Sequence, residues 1–335
     1  MRRSLTPRLT GARVECEGRI PPVPPEVNVS RRIAVLTVVA SAACFATLGI
    51  LTKWACDVTL AHPAEPFSLL AVRFAIAAVV MAVVQAIRDP KALRVSRGDL
   101  LRFLGLSLTG YGAASVCYSF GALEVGVSVT TVLLYTYPAL VSVLGWLFLK
   151  EVFPPKRIAA VLMTFLGCAL VANVFAASST ITLRGLLLGL GAALGYAVFN
   201  LLSYRSLGRT PRLTMMAYTF AISAVAIGAV SAFRGTLAEV PLWGWQTWGS
   251  VALLVAVPTF AAVMLYLSGI ARMGAAQAAV VSTLELPFAV VFAMLAFANE
   301  ALDPWQILGA AIVLGGVVMA EWGSPVGEVD GVAAV

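Results

Sequence analysis

Apolar residues arrive in long blocks along this chain, and polar residues are confined to short gaps between the blocks. A transmembrane helix needs about 20 predominantly apolar residues. Ten stretches qualify, at roughly 33–54, 66–87, 101–122, 126–149, 156–175, 183–204, 213–232, 246–270, 275–298 and 304–321. Most gaps are shorter than about fifteen residues, which suits a compact bundle. Pro66, Asp99, Pro155, Pro241 and Pro304 stand at or near helix starts, where a missing amide donor or an acidic cap is tolerated. Trp54, Trp146, Trp243, Trp245, Trp248 and Trp305 fall near the predicted interfaces, as an aromatic belt would place them. The pattern predicts an all-α integral membrane protein with ten transmembrane helices.

The blocks repeat. Tyr137-Pro138, an apolar run and Glu151 recur as Leu286-Pro287, a similar run and Glu300, with 13 residues from proline to glutamate in each copy. Pro155, Ile158 and Gly167 match Pro304, Ile307 and Gly316 at an interval of 149 residues. Tyr118 and Gly126 match Tyr266 and Gly274 at 148, so one residue has been inserted between. Each copy holds five spans, an odd number, so the second enters the membrane from the opposite side. The chain therefore divides into two inverted five-helix repeats, 33–175 and 176–321, flanked by tails at 1–32 and 322–335. Inverted halves suit a transporter, because exchanging their conformations exchanges an inward-open state for an outward-open one.

Composition agrees with a bilayer as solvent. Hydrophobic residues make up 60% of the chain and charged residues 12%, against roughly 25% charged in soluble domains; the mean hydropathy is +0.94. The net charge of +7 does not point to nucleic acid, because Lys and Arg lie in the gaps and form no basic face. They report topology. With the N-terminus inside, 19 Lys and Arg residues fall on the inner side and only Lys53, Arg184 and Arg234 on the outer. The positive-inside rule then puts both termini in the cytoplasm, and the chain in a cell's inner, cytoplasmic membrane. Residues 1–30, with Pro21, Pro22, Pro24 and Pro25 among Arg and Glu, read as a disordered tail without an h-region; a start placed too far upstream explains them equally well. Five scattered cysteines and a single loop histidine, His62, offer no metal or disulfide framework. No GxxxxGK[ST] phosphate loop occurs, which excludes ATP hydrolysis within the chain, and no cofactor is expected beyond a coupling proton.

The segment from Leu133-Leu134-Tyr135-Thr136-Tyr137-Pro138 through Leu149-Lys150-Glu151 resembles the end of the first repeat in EamA-type transporters of the drug/metabolite transporter superfamily. Leu284-Glu285-Leu286-Pro287 through Ala298-Asn299-Glu300 resembles the end of the second. The glycine-rich fifth helix of each repeat is matched by Gly167 and by Gly309, Gly315 and Gly316. The chain departs from the family at the small residue before the glutamate, which is Lys150 in one copy and Asn299 in the other. The resemblance covers residues 33–321. It implies a ten-helix inner-membrane carrier with a central cavity between the halves and the fifth and tenth helices outside it. Substrates across the superfamily include amino acids, other metabolites, nucleotide sugars and drugs.

A charged group at a helix centre costs about 2.5–3.5 kcal/mol, so each one needs a reason. Glu285 lies about ten residues into its span and two before Pro287. It is either a cavity carboxylate that exchanges a proton or meets a substrate amine, or a structural carboxylate paired with a neighbouring helix. Arg73, about a third of the way into the second span, has three open readings: pairing with Glu285, binding an anionic substrate group, or snorkelling to the headgroups. Lys53, at the end of the first span, shares that ambiguity. Pro138 and Pro287 would each free a backbone carbonyl at mid-depth and either border a substrate site, as their matched positions favour, or be plain packing kinks; Pro258, unmatched in the other half, reads as a plain kink. Eight tyrosines fall within spans or at their ends. Tyr118, Tyr135, Tyr137, Tyr196 and Tyr266, with Asn200 and Thr131, are candidate substrate-binding residues, because a buried phenol wants a polar partner. Gln277 and Thr283 complete the predicted lining. Gly185-x-x-x-Gly189 and Gly191-x-x-x-Gly195 read as close helix contacts.

These features predict a secondary active transporter of small metabolites by alternating access, moving an amino acid or a related compound, outward and coupled to protons. Uptake, or carriage of a drug or another metabolite, is the alternative. A polytopic membrane enzyme is the remote one, since one histidine and short loops give little to build a catalytic site from. The expected partners are a small-molecule substrate and the lipid bilayer, with the chain a monomer or homodimer.

Overall fold

The computed structural model describes residues 31–57, 60, 62–125, 127–149, 155–171, 182–296 and 304–321. The predicted tails, apart from Arg31 and Arg32, and the Lys150-Glu151 and Asn299-Glu300 pairs lie outside the described residues. Every regular element among the described residues is helical. The first half contains α1 (Arg31–Ala55), α2 (Pro66–Arg88), α3 (Arg97–Gly105), α4 (Gly112–Val125), α5 (Val127–Leu134), α6 (Tyr137–Leu149) and α7 (Pro155–Val171). The second contains α8 (Leu183–Ser206), α9 (Arg212–Phe233), α10 (Trp245–Leu254), α11 (Ala262–Met273), α12 (Ala275–Ser282), α13 (Glu285–Ala296) and α14 (Pro304–Glu321). Fourteen helices make ten spans because the third and fourth spans of each half are built from two pieces.

Local chemistry sets the helix starts. Glu65 caps α2 by accepting from the amides of Phe67 at 2.9 Å and Ser68 at 3.0 Å, with Pro66 in the first turn. Ser96 and Asp99 form a capping box at α3, and the Thr182 hydroxyl accepts from the Gly185 amide at 3.1 Å to open α8. Each device satisfies donors that a helix start would leave orphaned.

The interruptions also follow from sequence. In both third spans the pieces are joined by a stretch of π-helix, Leu106–Tyr111 between α3 and α4 and Val255–Ala261 between α10 and α11. Gly110 takes a non-helical conformation in the first (φ −107°, ψ −115°). In the second, Pro258 has no amide to give, the pattern shifts to the π register, and the Thr259 hydroxyl donates to the Leu254 carbonyl at 2.6 Å. Pro258 is thus part of a matched interruption and not the plain kink expected from sequence.

The fourth spans correct a second expectation. Each was predicted as one continuous helix kinked at its proline. Each is instead two short helices, α5 and α6 or α12 and α13, broken ahead of the proline. Pro138 and Pro287 lie in the first turn of the second piece, where the missing amide costs nothing. The chain tightens at the breaks, with the Thr136 amide bonding Leu133 at 3.2 Å and the Thr283 amide bonding Val280 at 3.2 Å.

Contacts between the halves are reciprocal. The second spans, α2 and α9, pack on each other, as do the fifth spans, α7 and α14. The third span of each half packs on the first span of the other: α4 on α8, and α11 on α1. The broken fourth spans meet through α6 and α12, at the centre. Such exchange of partners is what a pseudo-two-fold between inverted halves requires. Small residues permit the closest approaches. A Cβ on Gly195 would meet the Ala114 amide at 3.0 Å and the Gly110 carbonyl at 3.1 Å, and Gly185 and Gly189 lie against Val125 and Leu133. Leu162, Leu166, Ile307, Leu314 and Val318 on α7 and α14 are exposed, as lipid-facing residues are. Trp54, Trp146, Trp245, Trp248 and Trp305 are exposed, but Trp243 is buried against Trp248, at 5.5 Å between rings. Trp243 therefore anchors the loop to the bundle and does not contribute to a lipid-facing belt.

Candidate functional site

The breaks in the fourth spans leave backbone acceptors in the interior, and side chains from the opposite half take them. Because the Thr283 amide turns to Val280 and Val281, the Ala279 carbonyl loses its usual helical donor. The Tyr137 hydroxyl donates to it at 3.0 Å; the Ser282 hydroxyl also lies 3.0 Å from it but spends its one hydrogen on Tyr137. Tyr137 and Ser282 are themselves hydrogen-bonded. The first half's break thus supplies a phenol to the second half's break.

Around this junction stands a group of aromatic rings from both halves. Tyr137 meets Tyr196 of α8 edge-on at 4.8 Å, and Tyr196 stacks with Tyr266 of α11 at 6.5 Å. Tyr111, at the end of the first π segment, lies 6.2 Å from Tyr196 and 5.1 Å from Phe199. Tyr135 lies 6.3 Å from Tyr137. The buried Asn200 side chain holds the set together. Its amide donates to the Tyr196 carbonyl at 2.8 Å, and its oxygen accepts from the Tyr266 hydroxyl at 2.6 Å. Tyr118 and Thr131 join their hydroxyls at 2.9 Å. A fully apolar bundle would leave these polar atoms without partners, at a cost of several kcal/mol each.

Glu285 is the first residue of α13 and half-buried. A carboxylate is favoured at that end of a helix dipole, and Tyr135 is within hydrogen-bonding reach of it. The hydroxyls of Tyr111, Tyr118, Tyr137, Tyr196 and Tyr266 lie within its electrostatic range. Among the described residues no Lys, Arg or His stands within ion-pair distance of it. The cluster therefore presents one carboxylate amid phenols, a setting suited to an ammonium group through both charge and ring faces. Among the described residues no three His, Cys, Asp or Glu side chains gather as a metal site would require.

The structure brings together Glu285, Tyr135, Tyr137, Tyr196, Tyr266 and Asn200, with Tyr118 and Thr131 at the margin. It sets two other candidates apart. Arg73 neither snorkels nor pairs with Glu285. It is 6% exposed, and its Nε donates to the Thr259 hydroxyl at 2.6 Å. Lys53 is exposed in the last turn of α1, about 12 Å along the axis beyond Phe45, whose ring meets Tyr266. Thr283 turns its hydroxyl back to Val280 at 2.6 Å and is spent on the break itself. Sequence reasoning missed Tyr111, Ser282 and Thr259 as contributors. Thr259 had a readable signal, since a hydroxyl directly after an intramembrane proline can bond a backbone carbonyl of the preceding turn. Ser282 and Tyr111 had none, because only the tertiary fold brings them to the centre.

The sequence pattern of the EamA-like transporter family matches residues 32–173 and again 183–322. A curated relative, the uncharacterized transporter YetK of Bacillus subtilis (strain 168), is 24% identical over 257 residues, covering 73% of this chain and 75% of that protein. A solved structure described simply as a crystal structure of protein shares the fold, with a TM-score of 0.73 at 20% identity, covering 87% of this chain and 97% of the other.

Proposed function

Because the chain belongs to the EamA-like transporter family, we propose that it is a secondary carrier that moves a small amine-bearing metabolite, an amino acid or a related compound, out of the cell in exchange for protons. The observation that carries this reading is the Glu285 carboxylate, which no described Lys, Arg or His pairs, set among tyrosines drawn from both halves with Tyr135 in hydrogen-bonding reach. Membrane transport itself follows from the family; the amine, the direction and the proton are our reading.

The mechanism is competition for one charge. In the inward-open state Glu285 holds the ammonium of the substrate, and the tyrosine rings cover its remaining faces. When the halves rock and the site opens outward, a proton replaces the ammonium on the carboxylate. The proton is released to the cytoplasm after the return. A bare carboxylate is costly in this setting, so the return without either occupant is disfavoured and the two fluxes are tied in opposite directions. The bonds from Tyr137 to Ala279 and Ser282 join the halves beside the site, and rocking must remake them. The excess of Lys and Arg on one set of loops supports cytoplasmic termini and residence in the inner membrane.

Counterflow in proteoliposomes tests the proposal. Vesicles loaded with unlabelled amino acids should accumulate a ¹⁴C-labelled mixture of the common amino acids transiently and saturably. No counterflow with that mixture, or with a panel of other primary amines, would contradict it.

A further inference from the structure

Arg73 is a buried cation that the carrier mechanism leaves unused. Among the described residues no carboxylate lies within ion-pair distance of it. Its Nε donates to Thr259 at 2.6 Å, and the guanidinium is also within hydrogen-bonding reach of the Tyr111 hydroxyl. These two partners are not arbitrary. Tyr111 and Thr259 are 148 residues apart, the same interval that relates Tyr118 to Tyr266. They are therefore equivalent positions in the two halves, and each lies in the π segment that interrupts its own third span. One side chain from the second span reaches both.

The contact to Thr259 has a neutral reciprocal. The Ser107 hydroxyl in the first π segment bonds that of Ser223 in α9 at 2.8 Å, both buried. Each half's interrupted third span is thus tied to the second span of the other half. The two ties differ in charge, for beyond Arg212 at its start α9 carries no charged residue. Packing a second span on the opposite third span does not by itself require a guanidinium, since α9 does so through a serine hydroxyl. The hydroxyl that accepts from Arg73 also donates to the Leu254 carbonyl at the start of the π segment, so the arginine bears directly on the interruption. Tyr111 in turn belongs to the ring cluster, 6.2 Å from Tyr196 and 5.5 Å from Phe220. π segments recur at functional sites because a slip of one residue re-aims the side chains beyond them.

We propose that Arg73 is a positioning residue for transport: it clasps the equivalent π segments of the two halves and sets Tyr111 against the site while the halves are engaged. The inference rests on the carrier reading of that site, and two measurements that share Arg73→Lys keep the two separable.

The first is hydrogen exchange on the purified, full-length protein, which needs no substrate. Arg73→Lys keeps the charge but loses the planar fork. It should speed amide exchange about tenfold in both 106–111 and 255–261, while α7 and α14 stay as protected as in the wild type. Thr259→Val, nearly the same shape, should speed exchange only in 255–261. The second is counterflow of the ¹⁴C-labelled amino-acid mixture. Arg73→Lys and Tyr111→Phe should each raise the half-saturation concentration about tenfold, and the double variant should be no worse than either alone. Unchanged exchange at either segment in Arg73→Lys, or faster exchange that spreads equally to α7 and α14, overturns the clasp. Additive effects of Arg73→Lys and Tyr111→Phe on half-saturation overturn the positioning of Tyr111. A wild type without counterflow removes the carrier reading, and the exchange data still decide the clasp.

Discussion

Tyr137 of the first half donates its phenolic hydrogen to the Ala279 carbonyl of the second at 3.0 Å. The bond exists because the ninth span breaks where it does, leaving that carbonyl without a helical donor. Tyr137→Phe keeps the ring against Tyr196 and frees the Ser282 hydroxyl to donate to Ala279 in its place. The variant should therefore fold and lose only about 1 kcal/mol, read as a modest fall in the thermal unfolding midpoint in detergent. A loss of several kcal/mol would mean that the ring is displaced as well, contrary to the packing described.

The fifth spans give a sharper stability prediction. A Cβ on Gly167 would meet the Gly309 carbonyl at 2.7 Å and the Val313 amide at 2.8 Å. One on Gly316 would meet the Ala160 carbonyl at 3.0 Å and the Thr164 amide at 3.1 Å. These are backbone atoms and cannot swing aside. Gly167→Val should push α7 from α14 and cost about 1–3 kcal/mol by overpacking. Gly49→Ala, where a Cβ would have open space, should be close to neutral in the same melt.

Topology can be read by labelling. A cysteine replacing the exposed His62, between α1 and α2, should react with a membrane-impermeant maleimide in intact cells. One replacing the exposed Arg94, between α2 and α3, should react only after permeabilisation. The native Cys56 should add little background: burial, then the nearby Glu65 carboxylate, push its thiol up to about 11, so the reactive thiolate is scarce at neutral pH. The opposite labelling pattern would invert the orientation drawn from the Lys and Arg distribution.

Much of this architecture was legible in the chain. Two copies of a proline and glutamate at fixed spacing gave the duplication, and five spans per copy gave the inversion. Glu285 could be flagged from the chain alone, because a carboxylate about ten residues into an apolar span is costly. What stayed hidden depends on tertiary contacts. The fourth spans break ahead of their prolines because the freed carbonyls find donors elsewhere, as Ala279 does in Tyr137, a partner 142 residues away. Arg73 could be flagged as costly but not placed, since its acceptor Thr259 lies 186 residues further on. Local pattern sets where helices run; it does not say which buried polar atoms will meet.

The central claim is that Glu285 carries the proton that exchanges for substrate. Its most direct measurement is pH-gradient-driven transport of labelled amino acids in proteoliposomes, comparing the wild type with Glu285→Gln. Glutamine keeps the shape and can still bond to Tyr135, but it cannot take up or release a proton. The account predicts that the variant retains the wild-type unfolding midpoint and membrane insertion while its response to the gradient disappears. Full gradient-driven, pH-dependent transport by Glu285→Gln would contradict it.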